Sequence, residues 1–335
     1  MNGNRHAILI AHDPIFRVFG DRHVARLAAI GTLLNTAPLT DWNDPQAHEL
    51  LSRCTVICGF WGCPPIDDTT LRAAPELGLI AYAGGTVKSI VGDGVWRRGI
   101  RVTSCAPANA EPVAQFTLAS IVFAGKQIPW RINAPDPFAF AAARTIDSNV
   151  GNYGSTVGIV GASLIGRRVI QLLALFDEMS VVVYDPFLSD AEAAALGVRK
   201  VGLTELCAVS DIVSLHAPSV PETRHMIGGA EIAAMRDGCT LINTARGALV
   251  DHDALLSHLR SGRLFAMLDV TDPEPLPVHH ELRTLPNVML TPHAAGSEGR
   301  ELARLADRAI DEIERWVAGQ PALYEVTQEQ LTRMA

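Results

Sequence analysis

Cysteine is scarce: six residues are scattered through 335. Such a number, irregularly placed, makes no disulfide framework and points to a reducing cytoplasm. Cys54, Cys58 and Cys63 cluster loosely but have no evident fourth partner, so they read as buried thiols and no metal is expected. Basic residues form no block. With 28 Lys and Arg against 36 Asp and Glu, the net charge is −8, which argues against a nucleic-acid surface. No apolar run approaches the roughly 20 residues of a membrane span, and the stretch Ala7–Ala11 is too short for a signal-peptide core. Tandem repeats and low-complexity tracts are also absent.

What remains is an ordinary globular composition, 48% hydrophobic and 19% charged. A chain of this length is expected to form two domains. Residues 1–105 alternate apolar runs that predict strands (His6–Ile10, Thr55–Cys58, Leu79–Ala83, Arg101–Ser104) with helical patterns (Leu27–Leu34, His48–Leu51, Ser89–Arg98). Asn109 to Ile128 reads as a long helix with Asn109 as N-cap, Pro112 in its first turn, and Val113, Phe116, Ala119 and Phe123 on one apolar face. Pro129–Asn152 reads as a connecting arm. A second βα series follows, with strands at Ser180–Tyr184, Ile212–His216, Thr240–Asn243, Ala266–Val270 and Val288–Leu290, and a final amphipathic helix over about 297–318. Alternating β and α elements predict parallel sheets covered by helices on both faces, an α/β class.

The sequence is organised around Thr156–Gly166. Val157, Ile159 and Val160 form a β-branched run that breaks at Gly161 and resumes at helical spacing through Ile165, Val169, Leu172, Leu173 and Phe176. A strand, a glycine turn and a helix N-terminus in that order suit a pyrophosphate, because free N–H groups and the helix dipole converge there. The dinucleotide fingerprint G-x-G-x-x-G is met by Gly161 and Gly166, with Ser163 in the middle position. Asp185 follows Gly161 by 24 residues at the end of the next predicted strand. A carboxylate there accepts hydrogen bonds from an adenosine ribose and repels a 2′-phosphate, favouring NAD over NADP.

Polar residues recur at the ends of later strands, where ligands of parallel sheets bind. Arg246, in Asn243-Thr244-Ala245-Arg246-Gly247, offers a guanidinium fork for a carboxylate or a 2-oxo acid. His293, in Thr291-Pro292-His293-Ala294-Ala295-Gly296, can give and take a proton near neutral pH. Glu274, in a Pro-rich turn after Asp269, is placed to bond the imidazole and favour its protonated form. In the first half, Gly84-Gly85-Thr86-Val87 follows a strand end and lets the backbone approach a small anion.

Taken in order, these blocks resemble the D-isomer-specific 2-hydroxyacid dehydrogenase family. The resemblance covers about residues 75–325 and rests on Val157–Gly166, Tyr184-Asp185-Pro186, His216-Ala217-Pro218 with Pro221-Glu222-Thr223, Asn243–Gly247 with Asp251, Leu268–Pro275, and Leu285–Gly296. It implies two Rossmann- or flavodoxin-like domains, with an NAD domain (120–296) inserted into a substrate domain (1–119 plus 297–335), a cleft between them, and a homodimer. It also implies roles. Arg246, Glu274 and His293 would be catalytic. Gly84, Gly85, Thr86 and Val87 would join Arg246 in holding a 2-oxo or 2-hydroxy acid. Gly161, Ser163, Leu164, Ile165, Gly166, Asp185, His216, Ala217, Pro218, Thr244, Ala245, Arg246, Asp269, His293 and Gly296 would line the NAD site, with Asp269 facing the nicotinamide amide. Ser163, Leu164 and Gln115 depart from the family's usual glycine, polar or basic residue, and Glu. The runner-up activities on such a fold are formate- or phosphite-type dehydrogenation and non-catalytic NAD sensing.

Overall fold

β-Branched runs bounded by turns set two wholly parallel sheets. The computed structural model describes residues 6–132 and 149–331. The chain divides into two units: one runs to Asn109 and resumes at Ser297, and the other is Ala110–Gly296. The first unit holds β1 (Ala7–Ala11), β2 (Thr32–Leu33), β3 (Val56–Gly59), β4 (Leu79–Tyr82) and β5 (Arg101–Ser104) in the order β2-β1-β3-β4-β5. The second holds β6 (Thr156–Val160), β7 (Ser180–Tyr184), β8 (Arg199–Lys200), β9 (Ile212–Leu215), β10 (Thr240–Asn243), β11 (Phe265–Leu268) and β12 (Val288–Leu290) in the order β12-β11-β10-β9-β6-β7-β8. The first order is flavodoxin-like and the second is that of a dinucleotide-binding sheet, whose order reverses between β6 and β9. The central strands are buried on both faces, as crossover helices require.

The α/β class and the strands read from sequence stand, with β5, β7, β10 and β12 matching to the residue. Three helices differ. Leu27–Leu34 gives way to a helix over Asp21–Ile30, because Thr32–Leu33 pairs with β1. Ser89–Arg98 shortens to Asp93–Arg97, since Val91 bridges Ile66. The long helix spans Ala106–Gly125, so Asn109 lies inside it rather than capping it, and its carboxamide oxygen accepts from the Ser297 N–H (3.0 Å). That helix buries Val113, Ala114, Thr117, Ile121 and Ala124 and half-buries Phe116, while Ala119 and Phe123 are exposed, so only the first half of the expected face faces inward. Its circumference is apolar nearly throughout, and small residues pack closest. Ala114, Ile121 and Ala124 join Val157, Ile159 and Met267 in the second unit's core, which moves the division to 109/110 from the expected 119/120. Of the expected arm Pro129–Asn152, residues 133–148 lie outside the described residues, and Ile128–Arg131 forms a short helix.

Candidate active site

The glycine loop shows why its glycines are needed. Gly161 has φ +98°, and a methyl group there would come within 2.7 Å of the Ala217 nitrogen. A methyl at Gly166 would overlap the Gly161 carbonyl oxygen. Strand, loop and helix therefore press together as a pyrophosphate cradle demands. Ser163 needs no glycine: at φ −67° it is the N-cap of the helix Leu164–Leu173, its hydroxyl accepting from the Gly166 N–H at 3.4 Å. Leu164 is exposed at the helix start, and Ile165 is half-buried. Asp185 closes the same loop. Its Oδ2 accepts from the Ala162 N–H (2.7 Å) and its Oδ1 from the Phe187 N–H (2.8 Å). It thus shapes its own turn while fixing a negative charge beside the loop. These residues fit a dinucleotide.

His216 follows β9 and meets the glycine loop. Only its backbone, with that of Ala217, reaches Gly161, and its side chain is buried with Nε2 on the Ser214 hydroxyl (3.0 Å). Burial holds the imidazole neutral, pushing its pKa down to about 3. The Pro221-Glu222-Thr223 block supports the Pro218 turn, because the Thr223 hydroxyl donates to the Pro218 carbonyl (2.7 Å).

The catalytic candidates converge in the second unit. His293 Nδ1 and Glu274 Oε1 are 2.5 Å apart, and both side chains are open to solvent. Burial lowers the Arg246 guanidinium pKa from its ordinary value, and the Glu274 charge opposes that. Asn243 builds the turn that presents Arg246: its carbonyl oxygen accepts from the Ala245 N–H (3.0 Å), and its amide donates to the Arg246 carbonyl (2.8 Å). Gly247 lets that turn press on Thr271, whose carbonyl a methyl group would overlap. Thr244 bonds Thr117 of the long helix (3.0 Å).

His293 has φ +57°, a conformation that side chains other than Gly rarely adopt and that costs about 1–2 kcal/mol. Asp269 holds it there. The buried carboxylate accepts from the Thr291 hydroxyl (2.5 Å), the Ala294 N–H (2.8 Å) and the Ala295 N–H (3.0 Å). The His293 N–H donates to the Asp269 carbonyl (3.0 Å). Asp269 thus anchors the histidine loop, which ends at the half-buried Gly296.

In the first unit, the loop Gly84–Val87 leaves β4. The Ser104 hydroxyl donates to the Gly85 carbonyl. Among the described residues, the N–H groups of Gly84, Gly85, Thr86 and Val87 meet no protein acceptor. A run of unpaired N–H groups after a strand is an anion-binding concavity. Sequence reasoning missed Asn243, Thr117 and Thr291 as supports. An Asn two residues before a loop N–H was the available signal for the first. The two threonines carried none.

Residues 141–295 match the NAD-binding domain of the D-isomer specific 2-hydroxyacid dehydrogenases. A glyoxylate reductase of Korarchaeum cryptofilum is 34% identical over 261 residues, covering 74% of this chain and 76% of that one. A D-3-phosphoglycerate dehydrogenase of Mycobacterium tuberculosis is 32% identical over 277 residues, covering 82% of this chain and 50% of that one, so this chain spans about half the length of such relatives. The solved apo D-mandelate dehydrogenase of Rhodotorula graminis aligns with a TM-score of 0.80 at 26% identity, covering 97% of this chain and 98% of that one. With that fold, those glycines and those matches, the chain belongs to the D-isomer-specific 2-hydroxyacid dehydrogenase family.

Proposed function

We propose that the protein interconverts a 2-oxo acid and its D-2-hydroxy acid with NAD(H). The observation that carries this reading is the 2.5 Å pairing of His293 Nδ1 with Glu274 Oε1. When bound, NADH would supply the hydride for the 2-oxo carbon. Arg246 binds the substrate carboxylate and carbonyl oxygen and stabilises the negative charge developing on that oxygen. His293 gives the oxygen a proton from Nε2, and Glu274 steadies the imidazole through Nδ1. In the oxidative direction His293 takes the hydroxyl proton. The free N–H groups of Gly84–Val87 hold the carboxylate.

NAD is preferred to NADP because the Asp185 carboxylate, fixed by two backbone N–H groups, accepts ribose hydroxyls and repels a 2′-phosphate. A homodimer in the cytoplasm completes the reading. The test follows NADH oxidation with glyoxylate, hydroxypyruvate, pyruvate, phenylpyruvate and branched 2-oxo acids. Turnover on at least one supports the proposal. NADH binding without turnover on any of them refutes it in favour of a sensor, and NAD reduction by formate or phosphite alone reassigns the activity.

A further inference from the structure

We propose that Trp61, braced by Phe16 and Phe60, is the wall against which the substrate's side chain packs, and that the substrate is a 2-oxo acid bearing a bulky apolar group, aryl or branched alkyl. This rests on the function proposed above and adds the substrate class.

The observations lie in the first unit. β3 and β4 are sheet neighbours with Gly59 opposite Tyr82, so the segments leaving them emerge side by side. One is the anion-binding loop Gly84–Val87, and the other is Phe60-Trp61-Gly62. A methyl group at Gly84 would lie 3.2 Å from the Trp61 indole nitrogen and 2.6 Å from the Tyr82 ring, so the indole rests directly on the loop. It is held there. Phe60, fully buried, lies against it with ring centres 4.4 Å apart. Phe16 meets Trp61 edge-on at 5.4 Å and Phe60 at 5.8 Å. The Trp61 carbonyl accepts from the Asp13 N–H (2.9 Å), and the Gly62 backbone, at φ +82°, packs against Asp13. A tryptophan fixed on several sides yet only half-buried presents a preformed apolar face, and Ile15, next to Phe16 in the chain, is 77% exposed.

Chemistry then sets what suits that face. With the carboxylate on the loop's N–H groups, the substrate's third carbon is two bonds away, and a side chain of several heavy atoms reaches the indole. Burying such a group gains about 25 cal/mol per Å², and aromatic pairs gain more. Glyoxylate, which has only hydrogen at that position, leaves the face in water. His12 is buried beside Phe19 and Phe60, and burial keeps it below its ordinary pKa. Asp13 is exposed and engaged with the Ile15 N–H. Arg17 and Lys88 stand exposed on the flanking loops, where a phosphorylated side chain would seek its cations, so the test includes one.

The experiment measures kcat/KM with NADH on the full chain for glyoxylate, pyruvate, 3-phosphohydroxypyruvate, 4-methyl-2-oxopentanoate and phenylpyruvate. The branched or aryl acids should exceed glyoxylate and pyruvate by at least about tenfold, the discrimination an apolar pocket provides. Trp61→Ala should lower the phenylpyruvate-to-glyoxylate ratio about tenfold or more, while Trp61→Phe, which keeps the ring packing, retains most of it. A maximum at glyoxylate, pyruvate or 3-phosphohydroxypyruvate, or a ratio unchanged in the folded variants, overturns this inference and leaves the proposed function standing. No reduction of any 2-oxo acid overturns both.

Discussion

Replacing Asp269 with Asn tests whether this carboxylate anchors His293 even without cofactor. The carboxylate accepts from three donors, two at Oδ1 (Thr291 hydroxyl and Ala294 N–H) and one at Oδ2 (Ala295 N–H). Asn retains one acceptor oxygen. If that oxygen keeps the Oδ1 pair, both bonds lose their charge assistance, roughly half their strength. The Ala295 N–H then faces an NH2 group, a buried donor against a donor that costs about 1–3 kcal/mol. Together the loss is about 3–6 kcal/mol. It falls on residues 291–295, where His293 already carries left-handed strain, so the loop rather than the whole unit should open. Hydrogen exchange of the cofactor-free protein should show this segment exchanging at least about a hundredfold faster, while β9 and β10 stay protected. Thr291→Val, which removes one of the three donors, should give a smaller change in the same direction. Unchanged exchange at Ala294 and Ala295 in Asp269→Asn would refute the anchoring role, and because no cofactor is present, a lost nicotinamide contact cannot imitate the effect.

Other outcomes follow from the loop and the buried histidine. Gly166→Ala should destabilise the second unit by about 1–3 kcal/mol through overpacking against Gly161 and weaken NADH binding, read by thermal melting and fluorescence titration. Ser163→Ala should cost about 0.5–2 kcal/mol as a lost cap and lower NADH affinity, with unchanged melting arguing against the cap. His216 is neutral when folded, with its pKa near 3 against an ordinary 6.5, so the unfolded chain binds the extra proton between these values. Its contribution is fully present above about pH 6.5 and falls toward pH 3, with a slope up to about 1.4 kcal/mol per pH unit. His216→Gln should flatten that part of a urea-stability profile, and an unaltered slope would contradict it.

The parts legible in the sequence are those where one physical demand dominates. Strands buried on both faces must be apolar runs, and β3 and β4 announce themselves that way. Gly161, Gly166 and Gly247 are legible because each stands where a methyl group would strike backbone. Arg246, Glu274 and His293 gain meaning from falling at successive strand ends. The buried face of the helix Ala106–Gly125 is only partly legible, because periodicity carries little signal when nearly every side is apolar, and close packing by Ala114 and Ala124 outweighs larger Phe123. The helix Asp68–Ala73 was missed although Asp67 caps it, its carboxylate accepting from Thr69 and Thr70, because six residues are too short for a period to emerge. Asp269 and Trp61 depend on partners distant in the chain, which no local pattern reveals.

The account's central claim is that His293 moves the proton in a 2-oxo acid reduction. The direct measurement is single-turnover reduction of the best 2-oxo acid by NADH in the wild type and His293→Asn, with NADH affinity measured on both. The account predicts a rate lowered by about 10²–10⁴-fold with NADH binding within a few-fold of normal. A rate within about threefold of the wild type, with the substitution confirmed and cofactor bound, would contradict it.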